Sequence, residues 1–220
     1  MGLKEPGLRG SLRNVSVGIA AIPVSDIAQF EDGLLHPSFE LDTTAFDVDS
    51  DAPVLSDTFS LKTATASDQR IHSVSGLDRY PQQDQRFACY FQFDSDGGPT
   101  IGWGSDGASD SFYEAVGFGA TDEIFIRRID NGTATELGTR ASVALSNNTW
   151  YDMEIEWLSN GDITIRVFDV DQSTGDRQGS ALATTTATDT TYVGDGVAFR
   201  DVRNVTAPCR WDNYRILEAL

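Results

Sequence analysis

Lysine is nearly missing from this chain: Lys4 and Lys62 stand against 14 arginines. Histidine and cysteine occur twice each, as His36 and His72 and as Cys89 and Cys209. That scarcity excludes a cysteine-histidine zinc framework and a disulfide-dense scaffold. The cysteines read as two buried thiols, with one disulfide as the alternative. No Gly-x-Ser-x-Gly elbow accompanies the histidines, so Ser-His-Asp hydrolysis has no support. Long apolar runs are missing too. The longest early one, Val15 to Val24, is broken by Ser16, Gly18 and Pro23. It is too short to span a bilayer and lacks the shape of a signal peptide. The expectation is synthesis in a cytoplasm without a signal peptide, and no membrane insertion.

Positive charge is scarce as well. Lys and Arg together number 16 against 34 acidic residues, a net of -18, and Asp outnumbers Glu by 25 to 9. Such a surface repels phosphates, so no nucleic-acid partner is expected. Self-repulsion at this density strains a compact fold in dilute buffer, and molar salt, with a Debye length of ~3 Å, removes that cost. Loss of Lys with retention of Arg is read as adaptation to a halophilic source.

What is present is strand chemistry. At 220 residues the chain can bury a large core without a disulfide or metal. From Thr58 onward, short runs of Val, Ile, Phe, Tyr and Thr alternate with Gly, Asp, Asn and Ser. Phe87, Cys89, Phe91 and Phe93 fall on one face of a strand, with Ala88, Tyr90 and Gln92 on the other. Tyr151, Met153, Ile155 and Trp157 form a second buried face. Asn131-Gly132 and Asn160-Gly161 read as hairpin turns. About ten strands and no amphipathic helix predict an all-β antiparallel two-sheet sandwich over 58–220. Residues 1–14 read as an extended N-terminal arm. Residues 15–57 read as N-terminal strands or an extension, with a short helical turn near Asp26 to Gln29.

Three segments resemble the concanavalin-A-like lectin/glucanase superfamily, including its laminin-G-like branch. They are Leu145-Ser-Asn-Asn-Thr-Trp-Tyr-Asp-Met-Glu-Ile-Glu-Trp157, its partner Gly161 to Asp169, and Gly196-Val-Ala-Phe-Arg200 with Trp211-Asp-Asn-Tyr-Arg-Ile216. The resemblance implies a jelly roll over about 60% of the chain, a fold that hosts lectins, glycosidases, adhesion modules and viral decorations. In general character the chain also resembles structural proteins of haloarchaeal tailed viruses.

Asp152, Glu154 and Glu156 project from one face of one strand, as glucanase acids do on this fold, but in a different order and spacing. With the apolar residues of that strand turned inward, the acids are expected in water, and no catalytic set is assigned; the protein is not read as an enzyme. For carbohydrate binding the candidates are Trp103, set between glycines and read as a loop platform, with Tyr90 and Tyr113 flanking it. Asp169, Asp171, Ser173 and Asp176 place oxygens at alternate loop positions, which suits calcium, though no cofactor is required. Lys4, Arg9 and Arg13 make the N-terminal arm a small basic island fit for assembly. The sequons at Asn131 and Asn147, with those at Asn14 and Asn204, are discounted as glycosylation sites without an export signal.

Together these features predict a non-enzymatic virion structural or attachment protein, of the capsid turret, decoration or tail-fibre type. Its partners would be other virion subunits or its own copies, and a host cell-surface glycan or glycoprotein. The alternative is a carbohydrate-binding module or lectin of a halophile; a glycoside hydrolase is the remote one.

Overall fold

The structure is a computed structural model; it describes residues 25–28, 30, 33–50, 55, 59–63, 70–95, 97–105, 110–202 and 208–220. Lys4, Arg9, Arg13 and the rest of the arm lie outside the described residues. Fifteen strands are present among those described: β1 (Ser25–Ala28), β2 (Glu40–Leu41), β3 (Phe46–Asp49), β4 (Ser60–Thr63), β5 (Arg70–Ser73), β6 (Gln85–Phe93), β7 (Pro99–Ser105), β8 (Phe112–Phe118), β9 (Glu123–Asp130), β10 (Thr133–Ser142), β11 (Tyr151–Trp157), β12 (Asp162–Val170), β13 (Arg177–Thr188), β14 (Gly196–Asp201) and β15 (Cys209–Ala219). The helical turn expected near Asp26 is instead β1, which pairs with β15. A 3-10 turn, Thr43–Ala45, precedes β3.

The strands form a jelly-roll sandwich of two antiparallel sheets. One sheet runs β13-β12-β11-β6-β15-β4-β3, with β1 also on β15; the other runs β10-β9-β8-β7-β14-β5-β2. The described part of 15–57, read from sequence as N-terminal strands or an extension, places β1 and β3 in the first sheet and β2 in the second. Period-two alternation decides which side chains meet between the sheets. Phe87, Cys89 and Phe91 of β6 sit opposite Ile155, Met153 and Tyr151 of β11, and all are buried. Ile101 and Trp103, Tyr113 and Ala115, Ile124 and Ile126, and Val197 and Phe199 come from the second sheet into the same cluster. Asn131 (φ 47°) and Gly132 (φ 81°) both take the left-handed backbone that a two-residue hairpin needs, and they join β9 to β10.

The two sheets also lock at one edge. Gly138 of β10 has φ 69°, and a Cβ there would meet the Thr186 carbonyl of β13 at 2.3 Å. Thr185 donates its hydroxyl to the Thr139 carbonyl at the same place. Only glycine tolerates both the backbone angle and this approach.

Candidate functional site

The outward face of β11 departs most from expectation. Asp152 is fully buried and Glu154 is 5% exposed. They are not a solvated acidic face. Four arginines from neighbouring strands cover them. Asp152 Oδ2 accepts from Arg177 Nε at 2.6 Å and Arg215 Nη2 at 2.7 Å. Glu154 faces Arg166 at 3.0 Å and Arg177 at 2.5 Å. Glu156, nearer the rim, pairs with Arg86 at 3.0 Å and Arg166 at 3.3 Å, and Arg86 continues to Glu218 at 2.5 Å. Arg215 also lies over the Tyr90 ring at 4.3 Å, and Arg177 over Phe168 at 4.1 Å. Planar, forked guanidiniums suit such bidentate, stacked work and ammonium groups do not. The retention of Arg without Lys therefore has a structural use. Asp152 and Glu154, buried and clasped between guanidiniums, have no open approach for a glycosidic oxygen.

The aromatic platform expected from sequence is not assembled. Trp103 lies in β7, not in a loop, and is fully buried between Phe87 at 5.9 Å and Tyr113 at 5.7 Å. Its flanking glycines serve close packing: a Cβ on Gly102 would meet Ala198 at 2.7 Å, and Gly104 has φ 73° against the Tyr113 ring. Tyr113 is fully buried as well; its hydroxyl donates to Asp189 at 2.6 Å and accepts from the Tyr192 amide at 3.0 Å. Burial pushes its phenol well above the ordinary range, and the Asp189 hydrogen bond adds to that. Tyr90 is on the opposite face of the first sheet, covered by Leu55, Trp150 and Val170, and its hydroxyl donates to the Gly175 carbonyl at 3.0 Å. None of the three presents a ring to solvent.

The loop read as a calcium site spends its oxygens on itself. Asp171 Oδ1 accepts from the Ser173 amide at 2.8 Å, the Ser173 hydroxyl at 2.5 Å and the Thr174 amide at 3.2 Å. The Ser173 hydroxyl and the two amides hold its carboxyl below the usual range. Asp169 accepts from the Val170 amide, and Asp176 from the Thr174 hydroxyl. Asp169, Asp171, Ser173 and Asp176 do not converge. Among the described residues no group of three or more His, Cys, Asp or Glu side chains could hold a metal.

A different feature opens to solvent. Strand register aligns Arg86, Glu156, Thr164 and Thr186 in one row across β6, β11, β12 and β13, with Asp162 beside Thr188 in the next row. Glu156, Leu158, Asp162, Ile163, Thr164, Thr186, Ala187 and Thr188 line a groove of about 500 Å³ there. Asp162 is anchored by the Thr188 hydroxyl at 2.7 Å and the Asn160 amide group at 2.9 Å. Thr164 and Thr186 have no side-chain hydrogen-bond partner among the described residues, so their hydroxyls are available to a ligand. Sequence reasoning missed this groove. Its trace was Thr184-Thr185-Thr186-Ala187-Thr188, an alternation that sets three threonines on one strand face.

Residues 42–206 match the family described as SO2946-like, C-terminal domain. The chain belongs to this family. The carbohydrate-binding module CBM66 from Bacillus subtilis superposes with a TM-score of 0.54 at 14% identity, covering 77% of this chain and 93% of that one. The exoplasmic/lumenal domain of VIP36, in a Ca2+-bound form, gives a TM-score of 0.56 at 9% identity, covering 90% and 92%. SO2946 from Shewanella oneidensis, a protein of unknown function, gives 0.43 at 16% identity, covering 90% and 87%. At 14% and 9% identity, the likeness to CBM66 and VIP36 is one of fold. A search of curated proteins returned no match to the chain.

Proposed function

We propose that this SO2946-like domain is a non-catalytic carbohydrate-binding domain whose ligand lies in the groove over β11, β12 and β13. The observation that carries the reading is the groove itself: free threonine hydroxyls and carboxylate oxygens, held on rigid strands and open to solvent. β-branched threonines on paired strands have few rotamers to lose, so hydrogen bonds to sugar hydroxyls cost little ordering. Fold relatives named as a carbohydrate-binding module and as the exoplasmic/lumenal domain of VIP36 in a Ca2+/Man2-bound form support it. Lining aromatics are lacking among the described groove residues, so affinity must come from hydrogen bonds and from repetition along a glycan chain.

The test is calorimetric titration with a panel of neutral oligosaccharides, repeated on Thr164→Val/Thr186→Val. Valine keeps the shape and removes both hydroxyls. Binding by the parent chain and a loss of at least about tenfold in the variant, ~1.4 kcal/mol, is expected. No binding to any member of the panel, or equal binding by the variant, refutes the site. Addition of calcium or of a chelator tells whether a cation takes part. Salt adaptation and virion assembly are separate expectations of the charge balance and the basic arm. Circular dichroism across salt concentrations tests the first; incorporation of a chain lacking residues 1–13 tests the second.

A further inference from the structure

The groove carries an electrostatic asymmetry that bears on which glycan it takes, given the reading above. Its two carboxylates are not equivalent. Glu156 is neutralised by Arg86 and Arg166, which approach it at 3.0 Å and 3.3 Å. Asp162 has no such partner. Its two oxygens are met by a neutral hydroxyl and a neutral amide group, from Thr188 and Asn160, and no Lys or Arg forms an ion pair with it among the described residues. The remaining lining residues are threonines, Leu158, Ile163 and Ala187. The groove thus holds one uncompensated negative charge and no uncompensated positive one, on a chain of net charge -18.

We propose that Asp162 makes this groove selective by ligand charge: it admits uncharged glycan chains through their hydroxyl donors and rejects the corresponding uronates. The physics is asymmetric. A sugar hydroxyl donates to Asp162 or to the free side of Glu156 and accepts from Thr164 or Thr186. A uronate carboxylate brings acceptors only, next to an acceptor that is already charged, and finds no guanidinium free to receive it. The repulsion acts across a solvent-open groove, so salt screens it.

The experiment pairs the best neutral oligosaccharide of the panel with the same oligosaccharide oxidised to the uronate at its primary hydroxyls. Affinity for both is measured by calorimetry in dilute buffer and in 1 M salt. Expected is a preference of about tenfold for the neutral chain in dilute buffer, falling to within about threefold in 1 M salt, where the Debye length is ~3 Å. Asp162→Asn should narrow the preference in dilute buffer in the same way. Should that variant disturb the turn at Asn160, the salt arm still decides on the native chain. A uronate that binds as well as the neutral chain, or a preference that salt leaves unchanged, overturns the inference while the binding site stands. Failure of every glycan to bind removes the binding reading itself.

Discussion

Asp152→Ala is the sharpest perturbation of the buried ladder. The side chain is fully buried and its Oδ2 serves two guanidiniums. The two arginines lose unequally. Arg177 is 28% exposed and keeps Glu154, so water and a second carboxylate compensate it. Arg215 is 8% exposed and, among the described residues, keeps the Asn213 carbonyl at 3.1 Å and the Tyr90 ring. Removing one partner of a buried pair leaves an uncompensated charge and costs about 3–5 kcal/mol. Glu156→Gln is the internal control. Its side chain is 18% exposed, Arg86 retains Glu218 and Arg166 retains Glu154, so the loss should stay under about 1 kcal/mol. Adding Arg215→Met to Asp152→Ala removes the stranded charge and should recover roughly 2 kcal/mol. Urea unfolding followed by tryptophan fluorescence reads all three, with an unchanged denaturant slope as the check that the same state unfolds. If Asp152→Ala costs no more than Glu156→Gln, the ladder is not the buried, charge-compensated unit described, and the reasoning fails.

Trp157→Ala should lose about 3–5 kcal/mol, because a fully buried indole packed against Tyr113 leaves a cavity; a loss under ~1 kcal/mol contradicts that packing. Acid should weaken the fold in two steps. Burial pushes His72 below its ordinary 6.5, Arg70 adds to this, and Glu40 opposes it. The unfolded chain therefore takes the proton first, and stability falls as pH drops below about 6.5 towards the lowered native value. Burial pushes Asp189 up, but hydrogen bonds from Tyr113 and Thr191, with Arg128 nearby, outweigh it and hold the carboxyl below its ordinary 3.8. Its contribution is complete above the unfolded value and is lost as pH falls through the native one. Thermal melts of the parent and of His72→Phe across pH 4 to 8 check the first step; parallel curves would sink it. Cys89 and Cys209 are free, and burial raises both thiols, so neither should react with a thiol reagent until the protein unfolds. Prompt native-state labelling of either would contradict their placement.

Local pattern by itself determined a good deal of this protein. Alternation in Phe87-Ala-Cys-Tyr-Phe-Gln-Phe93 and Tyr151 to Trp157 specified both the strands and their inward faces, because side-chain direction has period two whatever the strand pairs with. The Asn131-Gly132 turn was equally local, since only its own backbone angles matter. Tertiary structure decided what the outward faces meet. Asp152 and Glu154 look solvated in one dimension, because nothing in Asp-Met-Glu-Ile-Glu announces that Arg177 and Arg215, far away in sequence, will close over them. Trp103 between glycines looks like a loop, because the reason for the glycines is Ala198 and the Tyr113 ring, brought by other strands. Asp169, Asp171 and Asp176 alternate as calcium ligands do, but whether carboxylates converge on an ion or turn back on their own amides depends on loop geometry that spacing does not encode. The groove arises only when β11, β12 and β13 pair in register, placing Glu156, Thr164 and Thr186 in one row. Backbone periodicity is a property of one strand; burial, charge compensation and concavity are properties of several strands packed together.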